Sequence, residues 1–421
     1  MIFTTEQLKT IWIINLDAST PETGYAGRSY YLSEELSRLG HKVYLIAGSF
    51  VHLHRKSPKV TVPYLIKKES NFNFVWVKVA QYANAHSKKR IWNWFYFAYQ
   101  LRGLTGIIKD SPDVIIVSSP PLASFLGAHY LSKYYKCKLI FEIRDIWPLT
   151  LIELGGFSEH HPFIKLMRWI EIKAYRTSDV IISNLKNASD HLKNHNVDIR
   201  KFHWVPNGYS QMEVSGKLPL PEDIIKRIPK NKFIVGYTGT LGFANALEIF
   251  VQAGLALREN KDIALILVGD GRDKNNLMRM AEDNPNIIFI EPLHKKMVQS
   301  ILEYFDACYI GWRDHSIYQY GIGANKIPEY LFSGKPIIHS YSGKADPIEE
   351  SGAGINVPAE NVDDLVGAIT KLYTMSIDER LKMGMRGKEY AMAHLEYKNI
   401  TKKLEEIALN IALNEKDRTS S

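Results

Sequence analysis

Cysteine is nearly absent from this chain, with two among 421 residues. Cys137 and Cys308 lie far apart, each in apolar surroundings. That excludes a disulfide framework and a thiolate metal spacing, and leaves two buried free thiols in a reducing compartment as the simple reading. Zinc-finger spacing, an RNP-like aromatic motif and a long basic arm are also missing, so no nucleic-acid partner is expected. The first residues lack a charged-then-apolar leader ending in small side chains, so no secretory signal is expected. No short repeat is visible. The aromatic-rich run that begins at Ile91 is broken by Asn93, Gln100, Arg102 and Gly103 and does not read as a spanning helix.

What is present is ordinary in amount. Hydrophobic residues make up 45% and charged residues 23%, close to an average globular protein. The length is too great for one α/β core and comfortable for two. Net charge is +8, which favours an acidic partner without choosing among nucleic acid, anionic lipid and a phosphorylated substrate. Residues 414–421 read as a frayed polar tail.

Apolar runs alternate with amphipathic segments, twice over. In the first half, strand-like runs fall at residues 11–14, 43–47, 113–117, 138–141 and 180–182. A helix is expected over 27–40, where Leu32, Leu36 and Leu39 recur at helical spacing and Gly40 ends the pattern. In the second half, strands are expected at 233–237, 263–268, 286–290, 307–310 and 335–339, with a helix reaching about residue 259. Strand, helix, strand at these lengths argues for βαβ units and parallel sheets. The pattern predicts an α/β protein with two doubly wound, Rossmann-like domains facing a cleft. Residues 1–210 form the first domain and 232–390 the second. The Pro/Lys-rich stretch 211–231 reads as a linker, and 391–421 as a C-terminal helix that crosses back, with the frayed tail. In such sheets ligands sit beyond the carboxyl ends of the strands.

Unusual sequence does fall there. Gly236-Tyr237-Thr238-Gly239-Thr240-Leu241-Gly242 follows a strand and precedes a helix. Its glycines allow backbone approach, and a helix N-terminus offers free N–H groups to an anion. It is neither a P-loop nor a strict dinucleotide fingerprint, and an ordinary tight βα turn explains it equally well. Val268-Gly269-Asp270-Gly271 could face a nucleotide base, or Asp270 could simply cap the next helix. Gly321-Ile322-Gly323-Ala324-Asn325-Lys326-Ile327-Pro328-Glu329 is the most specific. Asn325 is positioned to cap a helix starting near Lys326, which adds a point charge where the helix dipole already favours phosphate. Glu329, one turn later on the same face, could accept hydrogen bonds from ribose hydroxyls. The bland reading is a solvated Lys/Glu pair.

Three segments of the first half complete the set. Glu142-Ile143-Arg144-Asp145-Ile146-Trp147-Pro148 crowds charge at a strand end, where Glu142 and Asp145 could bind hydroxyls or steer protons. A structural Arg–carboxylate pair is the alternative. Gly24-Tyr25-Ala26-Gly27-Arg28 could touch a donor phosphate or an acceptor, or be a plain connection. The block from His86 to Lys109 mixes Trp and Tyr with Lys and Arg, which suits a membrane interface; a helix packed in the core is the alternative.

In this order, these segments resemble the retaining GT-B glycosyltransferases of family 4, especially bacterial enzymes of surface-polysaccharide and O-antigen (lipopolysaccharide) synthesis of the fucosamine-transferase kind. Leu39-Gly40-His41-Lys42-Val43 and Val205-Pro206-Asn207-Gly208 add to the likeness, which covers nearly the whole chain. The resemblance implies a nucleotide sugar as substrate, no cofactor and no metal. It assigns Glu142, Arg144 and Asp145 to the catalytic segment. It assigns donor binding to Gly24, Arg28, Gly239, Thr240, Gly242, Gly269, Asp270, Arg272, Pro292, Leu293, Asn325, Lys326 and Glu329. Glu329 matches the second glutamate of the family's E-x7-E motif. The sequence departs from the pattern in three places: Gly321 stands where the first glutamate would fall, the usual Arg and Lys after Gly239 are absent, and Arg144 replaces a common His.

The expectation is a retaining transferase moving a sugar from a UDP-linked donor to a polyprenyl-diphosphate-linked saccharide. It would work in the cytoplasm, in peripheral contact with the anionic inner membrane. A nucleotide-sugar epimerase, a phosphorylase and a non-catalytic glycan-binding subunit are the rivals.

Overall fold

The strand-like runs build two sheets, one in each of two units. A computed structural model of the chain describes residues 8–24, 26–52, 54–82 and 87–416, with side chains to residue 409. Tyr25, His86 and the last five residues of the expected tail lie outside the described residues. The first unit ends at Pro206 and takes back the segment from Tyr397; the second spans Asn207–Glu396.

Among its described residues the first unit holds eight strands: β1 (Thr10–Ile14), β2 (Lys42–Gly48), β3 (Tyr64–Glu69), β4 (Phe72–Val77), β5 (Val114–Ser119), β6 (Lys138–Ile143), β7 (Val180–Ser183) and β8 (Phe202–Trp204). Their order is β3-β4-β2-β1-β5-β6-β7-β8, and every pair is parallel except β3 with β4. The helices are α1 (Arg28–Arg38), α2 (Lys88–Gln100), α3 (Ser124–Tyr135), α4 (Leu149–Glu153), α5 (Pro162–Thr177) and α6 (Ala188–Asn194). Helix α1 buries Leu32 and Leu36, each contributing about 1.5–3 kcal/mol. It stops where Gly40 takes φ +97°, a conformation that favours glycine.

Strand order reverses between β1 and β5, because the chain builds outward through β2 before returning to the other side of β1. A crevice therefore opens beyond the carboxyl ends of these central strands.

The second unit has six parallel strands: β9 (Phe233–Thr238), β10 (Ile263–Val268), β11 (Ile287–Ile290), β12 (Ala307–Gly311), β13 (Ile337–Ser340) and β14 (Gly354–Val357). They lie in the order β11-β10-β9-β12-β13-β14. Its helices are α7 (Gln211–Ser215), α8 (Glu222–Arg227), α9 (Leu247–Ala256), α10 (Lys274–Met280), α11 (Val298–Leu302), α12 (Lys326–Ser333), α13 (Pro347–Ser351), α14 (Val362–Thr374) and α15 (Ile377–His394). Both sheet faces are covered. Ile263, Leu265 and Leu267 of β10 join one core, and Ile266 and Val268 the other. That is why these strands read as unbroken apolar runs. The switch point here lies between β9 and β12.

Three expectations need correction. The stretch 211–231 is not a linker: α7 and α8 fold within the second unit, and Val214, Leu220, Ile224 and Ile228 are buried in its core. Four isolated apolar residues among prolines and lysines are enough to anchor it. Segment 391–421 is not one helix, since α15 ends at His394 and a separate helix, Tyr397–Lys416, follows. Tyr397, Ile400, Leu404 and Ile407 of that last helix are buried in the first unit's core. Residues 414–416, expected as tail, form its final turn. Strands β3, β4, β8 and β14 are additional to those the sequence pattern predicts.

Candidate functional site

In the second unit, chemistry collects at the carboxyl end of β9. The turn after β9 and the turn after β10 meet backbone to backbone. A Cβ on Gly269 would lie 1.9 Å from the Gly239 carbonyl oxygen, and one on Gly271 would lie 2.2 Å from that of Leu241. Gly239 N donates to Val268 O at 3.0 Å and Leu241 N to Asp270 O at 2.9 Å. The glycines at 239 and 269 also take φ of +142° and +146°. Close approach and backbone conformation therefore both demand them, whereas Gly242 would accept a side chain without a clash. Among the described residues the amides of Thr240 and Gly242 have no hydrogen-bond acceptor.

Lys326 opens α12 and reaches this turn. Its Nζ donates to Tyr237 Oη at 2.8 Å and to Asn245 Oδ1 at 3.1 Å, and lies 4.1 Å from the centre of the Tyr237 ring. Tyr237 in turn donates to Thr240 O at 2.8 Å. No carboxylate among the described residues forms an ion pair with the ammonium. Burial pushes its pKa down to about 7, opposed by the charge of Glu329. A neutral lysine amine so placed, beside two unpaired amides, can gain a proton when an anion arrives.

The other predicted residues of this unit are arranged differently from one another. Glu329 lies in the first turn of α12 as expected, but it pairs with Lys295, which the sequence reading missed. Asn325 precedes α12 without capping it; its Oδ1 instead accepts from Asn207 Nδ2 at 3.0 Å, and the same Nδ2 reaches Gly323 O at 2.6 Å. Asp270 does not cap the following helix: its Oδ1 accepts from Gly271 N at 2.8 Å, in the turn itself. Thr240, Arg272 and Pro292 are exposed and Leu293 is half-buried. Gly321 has φ +94°, so the glutamate of the family motif would be strained at that position.

In the first unit, Arg28 is not available to a donor. Its Nε donates to Glu142 Oε1 at 2.6 Å, and its other nitrogens hold the carbonyls of Val205 and Pro206. Ser118 Oγ donates to the second Glu142 oxygen. Burial pushes the Glu142 carboxyl up, but Arg28, Arg144 and Ser118 more than offset this and hold it below its ordinary value. A fully satisfied, buried ion pair is structural. The Glu142 carboxylate, expected to be catalytic, and the Arg28 guanidinium, expected to touch the donor, are thus both engaged within the first unit. Gly24 packs on Ser19: an added Cβ would lie 2.8 Å from its Oγ.

Arg144 and Asp145 follow β6 and fare differently. Both are half-buried, and among the described residues Arg144 Nε has no hydrogen-bond partner. Asp145 accepts from Thr150 Oγ1 at 2.6 Å and from Trp147 Nε1 at 3.1 Å, and burial raises its pKa. Asp17, just past β1, also has its pKa raised by burial, with Arg90 and Arg144 opposing. The sequence reading missed Asp17, although it too lies just past a strand. Two carboxyls with pKa raised by burial and a guanidinium with an open donor thus share the ends of β1 and β6, on either side of β5.

The family model described as Glycosyltransferase Family 4 matches residues 24–210, and that described as Glycosyl transferases group 1 matches 232–375. No curated protein matches the chain. Among solved structures, the chain is similar to sucrose-phosphate synthase from Thermosynechococcus elongatus, with a TM-score of 0.73, 14% identity and coverage of 98% of this chain and 100% of that one. It is similar to α,α-trehalose 6-phosphate synthase from Burkholderia multivorans, with a TM-score of 0.70, 12% identity and 98% of each chain covered. It is also similar to Anabaena HepE in complex with UDP and glucose, with a TM-score of 0.66, 14% identity and coverage of 94% and 98%. At these identities the likeness concerns the fold.

Proposed function

We propose that this chain, whose two halves match glycosyltransferase family models and whose fold is of GT-B type, binds a UDP-linked sugar in its second unit and transfers it with retention. The acceptor is a polyprenyl-diphosphate-linked saccharide of surface-polysaccharide synthesis. The observation that carries the donor assignment is the Lys326 ammonium, held by Tyr237 and Asn245 but by no carboxylate, at the switch point of a parallel sheet. HepE, of similar fold, was solved with UDP and glucose, which supports this choice of nucleotide.

On this reading each group has one task. The departing UDP gains negative charge as the glycosidic bond breaks. Lys326 and the amides of Thr240 and Gly242 stabilise that charge, aimed where it develops. Glu329, steadied by Lys295, receives the ribose hydroxyls. Asp270, Arg272, Pro292 and Leu293 border the base and sugar. Arg144 and Asp145 serve the acceptor: Arg144 offers an open donor, and Asp145 has the raised pKa of a group able to exchange a proton.

A membrane-bound acceptor is supported by the outer face of α2 and its neighbours. Asn93, Trp94, Phe97 and Ala98 face inward, while Trp92 and Tyr99 stay 56% and 63% exposed. Arg102 lies over the rings of Tyr99 and Tyr130, and Lys173 over the exposed Trp169. Aromatic rings beside cations suit a lipid headgroup layer. No described helix is long and apolar enough to cross a membrane.

The test is a thermal-shift screen of nucleotide sugars, followed by mass analysis of products with lipid-linked acceptors. Stabilisation by UDP-sugars and a mass gain of one sugar on the lipid-linked acceptor are expected. Stabilisation only by other nucleotides would overturn the donor assignment.

A further inference from the structure

Helices α5 and α6 bring together a cluster that the transfer reaction does not use. Glu171 lies on α5, His191 on α6, and His195 closes α6. Residues four apart on a helix share a face, and this His-x-x-x-His spacing is the one by which a single helix offers two imidazoles to a metal. The two rings stand edge to face with centroids 4.6 Å apart. Glu171 Oε1 is 2.7 Å from His191 Nε2, and one ligand atom from each of the three residues lies within 4.8 Å of the others. Tyr175 Oη donates to the same Glu171 oxygen at 3.0 Å, as an outer partner that orients a ligating carboxylate does.

A hydrogen-bonded Tyr175–Glu171–His191 chain would by itself satisfy the buried carboxylate. It gives no reason for a second imidazole packed against the first. Glu171 and His191 are buried, whereas His195 is half-buried, so the cluster has one open side. Two imidazole nitrogens and one carboxylate oxygen with an open fourth position are a zinc donor set. Tetrahedral zinc ligands stand about 3.3 Å apart at bond lengths of about 2.0–2.2 Å, so side-chain rotation has to close a gap of about 1.5 Å.

We propose that Glu171, His191 and His195 bind one zinc ion that ties α5 to α6. Helix α6 runs back from the carboxyl end of β7, so its terminal His195 lies towards the amino ends of the strands, away from the ligand crevice. The ion is therefore a staple for the first unit and not a catalyst.

The test uses the full chain, free of any affinity tag and stripped with chelator, titrated with zinc sulfate by calorimetry. A variant with His160 and His161 replaced by Ala removes the exposed histidine pair as a competing site. That variant is expected to bind one zinc with submicromolar Kd, and saturation should raise its Tm by roughly 5 °C. On that background, His195→Ala should weaken binding at least tenfold and abolish the Tm rise. His195→Cys, which keeps a zinc ligand but not the ring, should restore both. Glu171→Gln should behave like His195→Ala; if it fails to fold, the His195 variants decide. Absence of stoichiometric binding, or binding unchanged by His195→Ala, would overturn the proposal. So would failure of the His195→Cys rescue.

Discussion

The guanidinium of Arg28 and the carboxylate of Glu142 meet at 2.6 Å inside the first unit, with side-chain exposures of 0% and 2%. They lie 114 positions apart in sequence. Removing one partner strands the other as a buried charge, so Arg28→Ala should cost about 3–5 kcal/mol in urea unfolding. The double variant Arg28→Met/Glu142→Leu should recover most of that loss. A double variant no more stable than Arg28→Ala would contradict a mainly electrostatic role.

Lys326 predicts a trade between stability and binding. Its folded pKa of about 7 lies below the ordinary lysine value of 10.5. Between those pH values the unfolded chain holds more protons, so this residue's contribution to stability rises with pH across that window. Lys326→Met should therefore raise the Tm of the unliganded protein by roughly 2–4 °C at pH 6–7, and by less at pH 9. Calorimetry at the three pH values checks both magnitude and sign.

The same shift predicts how UDP affinity depends on pH. A bound diphosphate raises the lysine pKa, so binding takes up a proton above pH 7. Affinity should fall by about tenfold per pH unit from pH 7.5 to 8.5. Lys326→Arg, whose charge does not titrate, should flatten the profile.

Arg144 and Asp145 belong to the first unit, so their loss should leave donor binding alone. Arg144→Ala and Asp145→Asn should each lower kcat by about 100-fold or more, with UDP affinity changed less than twofold. A parallel loss of UDP affinity would remove them from the acceptor side.

Trp92→Ala/Tyr99→Ala should reduce partition onto anionic lipid vesicles by about tenfold in flotation, with residual binding that falls as salt rises. Binding unchanged in low and high salt would place the membrane contact elsewhere.

How much of this was legible depends on the range over which each feature is fixed. The central strands announced themselves because burial on both faces makes them apolar throughout. The Gly239 and Gly269 turns were legible because each follows a strand and the geometry of the turn dictates the residue, and Lys326 because it opens a helix behind a glycine-containing lead-in. Strand β3 was not, because it is an exposed edge carrying Lys67 and Lys68. The partners of Arg28 and Glu329 were not, because Glu142 and Lys295 reach them through the folded chain and no local spacing marks the pairing. Asn325 looked like a cap by position alone, and long-range contact with Asn207 took its side chain instead.

The most direct measurement of the central claim is UDP binding by calorimetry at pH 7 to the wild-type chain and to Lys326→Ala, with near-UV circular dichroism confirming that both are folded. The account predicts a loss of affinity of about 100-fold in the variant. Equal affinity in the two proteins would contradict it.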